Sequence, residues 1–158
     1  MACQMINKLE PEEAFISYKE IEQGTYPSVY AETVPVQCMH CENAPCQQVC
    51  PTHATYTTDS GVVLVDEEKC IGCKYCMAAC PYGARIVQEK TGVVEKCRFC
   101  WDGEKPGNPP ACVGTCISGA RIFGDLDDPD SDISKEIVAT NAQPIAGDLT
   151  KSKVFYVR

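Results

Sequence analysis

The sequence lacks an excess of positive charge, a long apolar run and a recognisable signal peptide. Lysine and arginine total 14 against 22 aspartates and glutamates, which gives a net charge of −8. A nucleic-acid-binding surface needs a basic face, so this balance argues against a nucleic-acid partner. No apolar run reaches the roughly 18 residues that a membrane-spanning helix requires. We therefore expect a soluble chain that does not itself cross a bilayer.

Cysteine is the residue type in excess, with 13 among 158 residues. Most of these cysteines form tight Cys-x-x-Cys groups, and their number is odd, which fits a disulfide scaffold poorly. Thiolates that are close in the chain can converge on one small metal centre. The composition therefore predicts metal-bound cysteines in a chain long enough for one compact domain or two very small ones.

Twelve cysteines fall into three groups of four, which we call the first, second and third quartets. The second quartet has the spacing C-x2-C-x2-C-x3-C and is followed by Pro81, the pattern of bacterial two-cluster ferredoxins. In that pattern three cysteines bind one [4Fe–4S] cluster, and the fourth reaches the neighbouring cluster. The quartets are Cys38, Cys41, Cys46 and Cys50; Cys70, Cys73, Cys76 and Cys80; and Cys97, Cys100, Cys112 and Cys116.

Zinc is the alternative metal for such cysteines. Structural zinc usually takes two well-separated Cys-x-x-Cys pairs. The third quartet, with eleven residues between its pairs, fits that pattern, whereas the first two are too closely spaced. The spacing therefore favours iron–sulfur clusters for the chain and leaves zinc open for the third quartet.

The segments that follow the quartets repeat. The sequence Gly-Ala-Arg-Ile stands at residues 83–86 and again at 119–122, each time three residues after the last cysteine of a quartet. Glycine-containing turns at 59–61 and 90–92 each precede a Val-rich strand pattern. We expect each repeated unit to consist of a cluster loop, a short helix and a β-hairpin.

Other segments give weaker signals. The aromatic and β-branched residues before Cys38, interrupted by Gly24 and Pro27, predict strands and a linker. Residues 101–111 read as a loop, 133–139 as a short helix and 154–157 as a strand.

Taken with these motifs, the chain resembles the iron–sulfur electron-transfer subunits of molybdopterin oxidoreductases, such as polysulfide, tetrathionate and dimethyl sulfoxide reductases. The resemblance covers nearly the whole chain, including QCMHCENAPCQQVCPT, KCIGCKYCMAACPYGAR, EKCRFC and PACVGTC. It implies an α+β, ferredoxin-like fold of nested bacterial [4Fe–4S] ferredoxin modules with short hairpins and helices. The inner module would span residues 38–96, the incomplete outer module 1–37 and 97–123, and a C-terminal extension 124–158.

The resemblance also implies ligand sets. Members of the family hold four clusters on sixteen cysteines, and this chain has three cysteines fewer, with only Cys3 in place of an opening quartet. We expect three more cysteines upstream of Met1, because a fourth cluster would otherwise have Cys116 alone. In the other view, Cys3 is a buried free thiol and Cys116 pairs locally. The implied sets are Cys38, Cys41, Cys46 and Cys80 for cluster one; Cys70, Cys73, Cys76 and Cys50 for cluster two; and Cys97, Cys100, Cys112 and Cys3 for cluster three.

The function implied is electron transfer from a membrane quinol-oxidising partner to a molybdopterin catalytic subunit of an anaerobic respiratory reductase. The chain would not be an enzyme and would bind no small-molecule substrate. It would associate with the membrane through an anchor subunit, on a side that the sequence does not reveal. Three alternatives stay open: a free-standing polyferredoxin, a subunit of a hydrogenase or formate dehydrogenase, and a zinc-stabilised interaction scaffold.

Several residues beside the cysteines have two interpretations. His40 is not needed as a ligand, because all four cysteines of its quartet are present; it would tune the potential or lie at the surface. His53 is expected to have a structural role in the turn after Cys50. Trp101, Tyr75 and Tyr82 would cover clusters or simply pack in the core. Nearby cations would offset cluster charge or be solvated: Lys69, Lys74, Lys96 and Arg98.

Overall fold

The computed structural model describes residues 1–101, 109–146 and 149–157. Within them, short helices and short strands alternate with loops, which is the expected α+β organisation. The elements in chain order are α1 (Ala2–Asn7), β1 (Ser17–Thr25), β2 (Ser28–Val36), α2 (Pro45–Gln48), β3 (Thr55–Thr57), β4 (Val63–Val65), α3 (Tyr75–Ala78), β5 (Ile86–Val87), β6 (Val94–Glu95), α4 (Ala111–Gly114) and α5 (Asp132–Thr140).

The six strands form three two-stranded antiparallel sheets. β3 pairs with β4, and β5 with β6, so each of the first two quartets is followed by a hairpin. Gly61 (φ 76°) and Gly92 (φ 71°) lie in the hairpin turns and adopt the left-handed conformation that glycine tolerates best. The predicted repeat of loop, helix and hairpin is therefore present in the structure.

The first Cys-x-x-Cys pairs of the three quartets share one backbone feature. The residue before the second cysteine has a positive φ in each loop: 44° at His40, 65° at Gly72 and 54° at Phe99. Such a turn curls the chain so that successive backbone N–H groups can face a negatively charged group held by the loop. At Gly72 a side chain is also excluded sterically, because a Cβ there would lie 2.8 Å from the carbonyl oxygen of Gly92.

The turn after each quartet is also repeated. The backbone N–H groups of His53, Gly83 and Gly119 donate to the carbonyls of the last cysteines, Cys50, Cys80 and Cys116, at 3.3, 3.3 and 3.1 Å. All three donors have a positive φ, between 52° and 66°. His53 therefore serves the local turn, as expected. The same short turn fixes where each fourth cysteine leaves its loop.

The core lies around the first cysteine loop. Met39, Val63 and Tyr82 are buried there, and Val154 and Tyr156 of the C-terminal segment pack against them. Three backbone hydrogen bonds fasten that segment to the loop: Glu42 N–H to Lys151 O, Asn43 N–H to Thr150 O, and Lys153 N–H to Met39 O, at 3.0, 3.2 and 2.9 Å. The C-terminal segment therefore covers the first quartet.

Two other predictions agree with the structure. β1 and β2 are the strands expected before Cys38, and they pair along their whole length. α5 contains the predicted helix at 133–139, and its N-cap, Ser131, accepts a hydrogen bond from Ser134 N–H at 3.3 Å.

One strand prediction is wrong, and one helix was missed. Residues 154–157 form no strand: an isolated bridge joins Tyr156 to Gln143, and the N–H of the preceding Lys153 donates to Met39 O. α1 was not predicted from the sequence. Of the predicted loop at 101–111, residues 102–108 lie outside the described residues.

No helix in the described ranges is long and apolar enough to cross a bilayer. The longest of them, α5, has nine residues.

Candidate metal centres

The first candidate centre, cavity one, is lined by four cysteines and has an empty volume of about 350 Å³, part of it open to solvent. Its wall is otherwise mainly apolar, with Met39, Val63 and Tyr82 among the lining residues. Three cysteines come from the first loop and α2, and the fourth comes from the residue that follows α3 and its C-cap. The four are Cys38, Cys41, Cys46 and Cys80.

The second candidate centre, cavity two, has the reciprocal composition and an empty volume of about 310 Å³. The loop of the second quartet provides three of its cysteines, and the end of the first quartet provides the fourth. The lining cysteines are Cys70, Cys73, Cys76 and Cys50. Each cavity thus takes three cysteines from one quartet and one from the other, which is the grouping that the resemblance implied.

A third group of cysteines includes Cys3. α1, which carries Cys3, packs against α4, which carries Cys112. Burial, followed by the neighbouring Cys100 and Cys112, raises the pKa of Cys3. Burial also raises the pKa of the Cys97 thiol to about 12, with a smaller contribution from Cys3. The structure therefore brings Cys3 to the first three cysteines of the third quartet.

Cys116 is separate from these groups. It lines neither cavity, and its sulfur lies 3.5 Å from the hydroxyl of Ser118. The hydrogen bond with Ser118 lowers the pKa of Cys116. None of the thirteen cysteines is in a disulfide, so Cys116 does not pair with a neighbouring cysteine in this way.

The thiols differ in how readily they ionise. Burial raises the pKa of Cys41 and of Cys76, and at Cys76 the positive charge of Arg85 opposes that rise. At Cys50, burial is outweighed by hydrogen bonds from the Thr55 backbone and from Thr52, so its pKa is lowered. Because a thiolate is the metal-binding form, loading of the buried positions releases protons.

His40 lies at the junction of the first and third loops. Its side chain is 0% exposed and stacks on Phe99, with ring centroids 3.7 Å apart. Nδ1 accepts a hydrogen bond from Val63 N–H at 3.1 Å. Burial, then Lys96 and Lys153, lowers the pKa of His40 well below its usual value. The surface interpretation of His40 is therefore wrong: it is a buried, neutral packing residue.

The aromatic residues near the second quartet differ in exposure. Tyr82 is buried, lines cavity one and makes a 2.5 Å hydrogen bond with Thr150. Tyr75 is 64% exposed, so core packing does not apply to it. Trp101 is half-buried.

The cations near the cysteines also differ in solvent exposure. Lys69 and Lys74 are exposed and Arg98 is half-buried, whereas Lys96 is only 4% exposed. The ammonium of Lys96 donates to the carbonyls of Val63 and, at 3.0 Å, of Cys97. For Lys96 the solvated interpretation is therefore wrong.

Sequence reasoning missed a second buried cation, Arg85, which lines cavity one and is 5% exposed. The signal for it was present in the repeated Gly-Ala-Arg-Ile, which places an arginine five residues after the last cysteine of the second and third quartets. The partner position, Arg121, is half-buried and donates to Gln37 Oε1 at 3.0 Å.

No group of three or more His, Cys, Asp or Glu side chains in the described part of the chain converges closely enough to hold a single metal ion. The eight cysteines of the first two quartets are instead spread around the walls of the two cavities.

Residues 29–126 match the family model described as a 4Fe-4S dicluster domain. The chain belongs to this family. The resemblance drawn from the cysteine motifs and the predicted ferredoxin-like, α+β fold are thereby confirmed. The matched residues contain all three quartets, and the family is one of iron–sulfur proteins.

Three curated relatives share 42–46% identity with this chain. The B subunit of sulfite dehydrogenase from Allochromatium vinosum is 46% identical, over 76% of this chain and 53% of the relative. Thiosulfate reductase electron transfer subunit PhsB of Salmonella typhi is 43% identical (81% and 68%), and a polysulfide reductase polypeptide of Wolinella succinogenes is 42% identical (88% and 72%). The chain spans about half the length of several relatives that it matches.

Proposed function

We propose that this chain carries single electrons through [4Fe–4S] clusters held at cavity one, cavity two and the Cys3 group. The observation that carries the proposal is the crossed lining of the two cavities, in which each quartet provides three cysteines to one cavity and one to the other. Such crossing is the ligation pattern of two-cluster ferredoxins.

The residues present fit that cofactor. Thiolates are the soft ligands that iron–sulfur clusters require. The loops turn at His40, Gly72 and Phe99 so that backbone N–H groups can offset negative charge. The mainly apolar walls limit water, which is one of the factors that set cluster potential. A bound cluster supplies one-electron redox chemistry, and the chain's own residues hold it and set its surroundings.

The ligand assignment follows the three groups of cysteines. Cluster one takes the set at cavity one, cluster two the set at cavity two, and cluster three takes Cys97, Cys100, Cys112 and Cys3. A fourth cluster at Cys116 requires cysteines that this sequence does not contain. The inner module is then 38–96, and the outer module consists of 1–37 with 97–123.

In the cell we place the protein between a membrane quinol-oxidising partner with an anchor subunit and a molybdopterin catalytic subunit. The names of the relatives support the coarser part of this proposal, a place in a multisubunit complex, because they denote components of reductases and of a dehydrogenase, one of them explicitly an electron transfer subunit. The chain itself then turns over no substrate and meets the membrane through its partners.

Anaerobic reconstitution of the full chain with iron and sulfide tests the proposal. We expect a brown protein with about equal amounts of iron and acid-labile sulfide, and one-electron EPR signals after reduction. Cys41→Ser should remove or convert one cluster, whereas Cys116→Ser, the matched control outside both cavities, should change neither inner cluster. A colourless protein that holds zinc and no acid-labile sulfide would contradict the proposal and support the interaction scaffold instead.

A further inference from the structure

We propose that the guanidinium of Arg85 bridges the sites of clusters one and two and raises the reduction potential of both. The inference rests on the proposed function, because it assigns a role to Arg85 at the two inner cluster sites. Arg85 is a positioning residue in this account: it exchanges no electron and breaks no bond.

Arg85 lines cavity one and is hydrogen-bonded to a residue of the wall of cavity two. It is part of the wall of cavity one, and its Nη1 donates a 3.3 Å hydrogen bond to Thr55 Oγ1, which lies in the wall of cavity two. Two cysteine sulfurs also lie close enough to interact with the guanidinium: Cys46 of cavity one and Cys76 of cavity two. The positive charge therefore stands between the two cysteine sets.

No carboxylate within the described ranges forms an ion pair with Arg85. Arg85 is 5% exposed, makes no ion pair in the described ranges, and its Nη2 atom is buried there without a hydrogen-bond partner. An unpaired buried charge is costly, and a buried cation persists when negative charge lies beside it. Thiolates bound to a cluster on either side are that negative charge.

The electrostatic environment agrees with this. Burial disfavours the charged form of Arg85, but the negative charges of Cys46 and Cys76 outweigh that effect and raise the pKa of the guanidinium. Arginine stays protonated at all ordinary pH values, so the charge is permanent. Each one-electron reduction adds negative charge beside a fixed cation, and the reduced form is therefore the one that Arg85 stabilises.

The test is a potentiometric EPR titration of the loaded full-length protein with Arg85→Gln. We expect both inner clusters to become harder to reduce, by about tenfold in the reduction equilibrium, or about 59 mV for one electron. Unchanged potentials at both inner clusters, or a shift at only one, would overturn the bridging role.

Two further variants separate charge from structure. Arg121→Gln makes the same substitution at the repeated position, outside both cavities, and should leave both inner potentials unchanged. Arg85→Lys keeps the charge with a shorter reach and should give a smaller shift of the same sign at both clusters. If Arg85→Gln does not load, Arg85→Met, which removes the charge and keeps a long side chain, decides: unchanged inner potentials in that variant would refute the bridge.

The outcome is distinguishable from failure of the proposed function. A wild-type chain without iron and sulfide refutes the electron-transfer proposal itself. A wild-type chain with both inner clusters whose potentials do not respond to Arg85 refutes only the role of this residue.

Discussion

Cavity one and cavity two are each lined by four cysteines, but they differ in how well they are shielded from solvent. Over cavity one, the C-terminal segment is hydrogen-bonded to the first loop, and Met39 beneath it is 0% exposed. In the wall of cavity two, Cys73 is exposed and Ile71 is 66% exposed, and Tyr75, which follows the lining residue Lys74 in the chain, is 64% exposed. The repeated units thus provide the ligands of both sites, whereas a segment outside the repeat distinguishes one site from the other.

This difference has a functional consequence under the proposed function. Solvent exposure affects cluster potential and access by oxidants or chelators. We therefore expect cluster two to be lost first in air, and cluster one to persist for as long as the C-terminal segment stays in place.

The largest expected effect comes from Tyr156→Ala. Tyr156 packs on the core at cavity one, and its hydroxyl donates to Pro35 O at 2.7 Å. Removing a large packed aromatic side chain costs about 3 kcal/mol and leaves a gap. The expected result is that the EPR signal of cluster one decays in air as fast as that of cluster two. Tyr75→Ala, at an exposed tyrosine that lines neither cavity, is the control and should leave the decay of cluster one unchanged.

The second prediction concerns the loop of cavity two. Gly72→Ala would strain a positive φ and bring a Cβ to 2.8 Å from Gly92 O, whereas Gly83→Ala meets only the strain, since no atom lies within 4 Å of its Cβ. We expect a cost of about 1 kcal/mol for Gly83→Ala and roughly 2–3 kcal/mol for Gly72→Ala. Thermal bleaching of the two clusters measures the difference. Equal midpoints for the two variants would mean that the loop does not need this close approach.

A smaller effect is expected for Tyr82→Phe. The substitution removes the hydrogen bond between Tyr82 and Thr150. The buried hydroxyl of Thr150 then loses this partner, at a cost of about 1–3 kcal/mol. Cluster one should bleach at a lower temperature, with cluster two unaffected. The matched change Tyr75→Phe concerns an exposed ring and should alter neither midpoint; a lowered midpoint there would mean that exposure does not separate the two sites.

The smallest effect concerns pH. In the loaded 158-residue chain, iodoacetamide should alkylate Cys116 and spare Cys3. The hydrogen bond with Ser118 lowers the pKa of Cys116, so the thiolate, and with it the alkylation rate, should reach half of its maximum at a lower pH than for an ordinary exposed cysteine. Ser118→Ala should move this midpoint to higher pH. Mass spectrometry of the labelled peptides gives both results, and alkylation of Cys3 at a similar rate would contradict its role as a ligand.

Much of the fold followed from local patterns. Cysteine spacing, the repeated Gly-Ala-Arg-Ile and the glycine turns predicted the family, the hairpins at both inner quartets and the α+β organisation, because each depends on residues close in the chain. The grouping of Cys80 with the first quartet came from the same logic. Its ligation stays a prediction until clusters are measured.

The rest depends on contacts between distant segments. Residues 154–157 look like a strand, but their neighbours in space are Met39 and Gln143, and no local pattern reveals that. The burial of His40 and Lys96 depends on how the third loop folds back over the first. The repeated Gly-Ala-Arg-Ile contains Arg85, but its position between the two cavities depends on the packing of segments that are distant in the sequence.

The most direct test of the account compares Cys80→Ser with Cys50→Ser in the reconstituted protein, since each cysteine belongs by sequence to one quartet and by space to the other cavity. Using Cys41→Ser and Cys76→Ser to identify the EPR signals of clusters one and two, we expect Cys80→Ser to perturb cluster one and Cys50→Ser to perturb cluster two. The opposite result, with each variant altering the cluster of its own quartet, would contradict the crossed arrangement on which the proposed function rests.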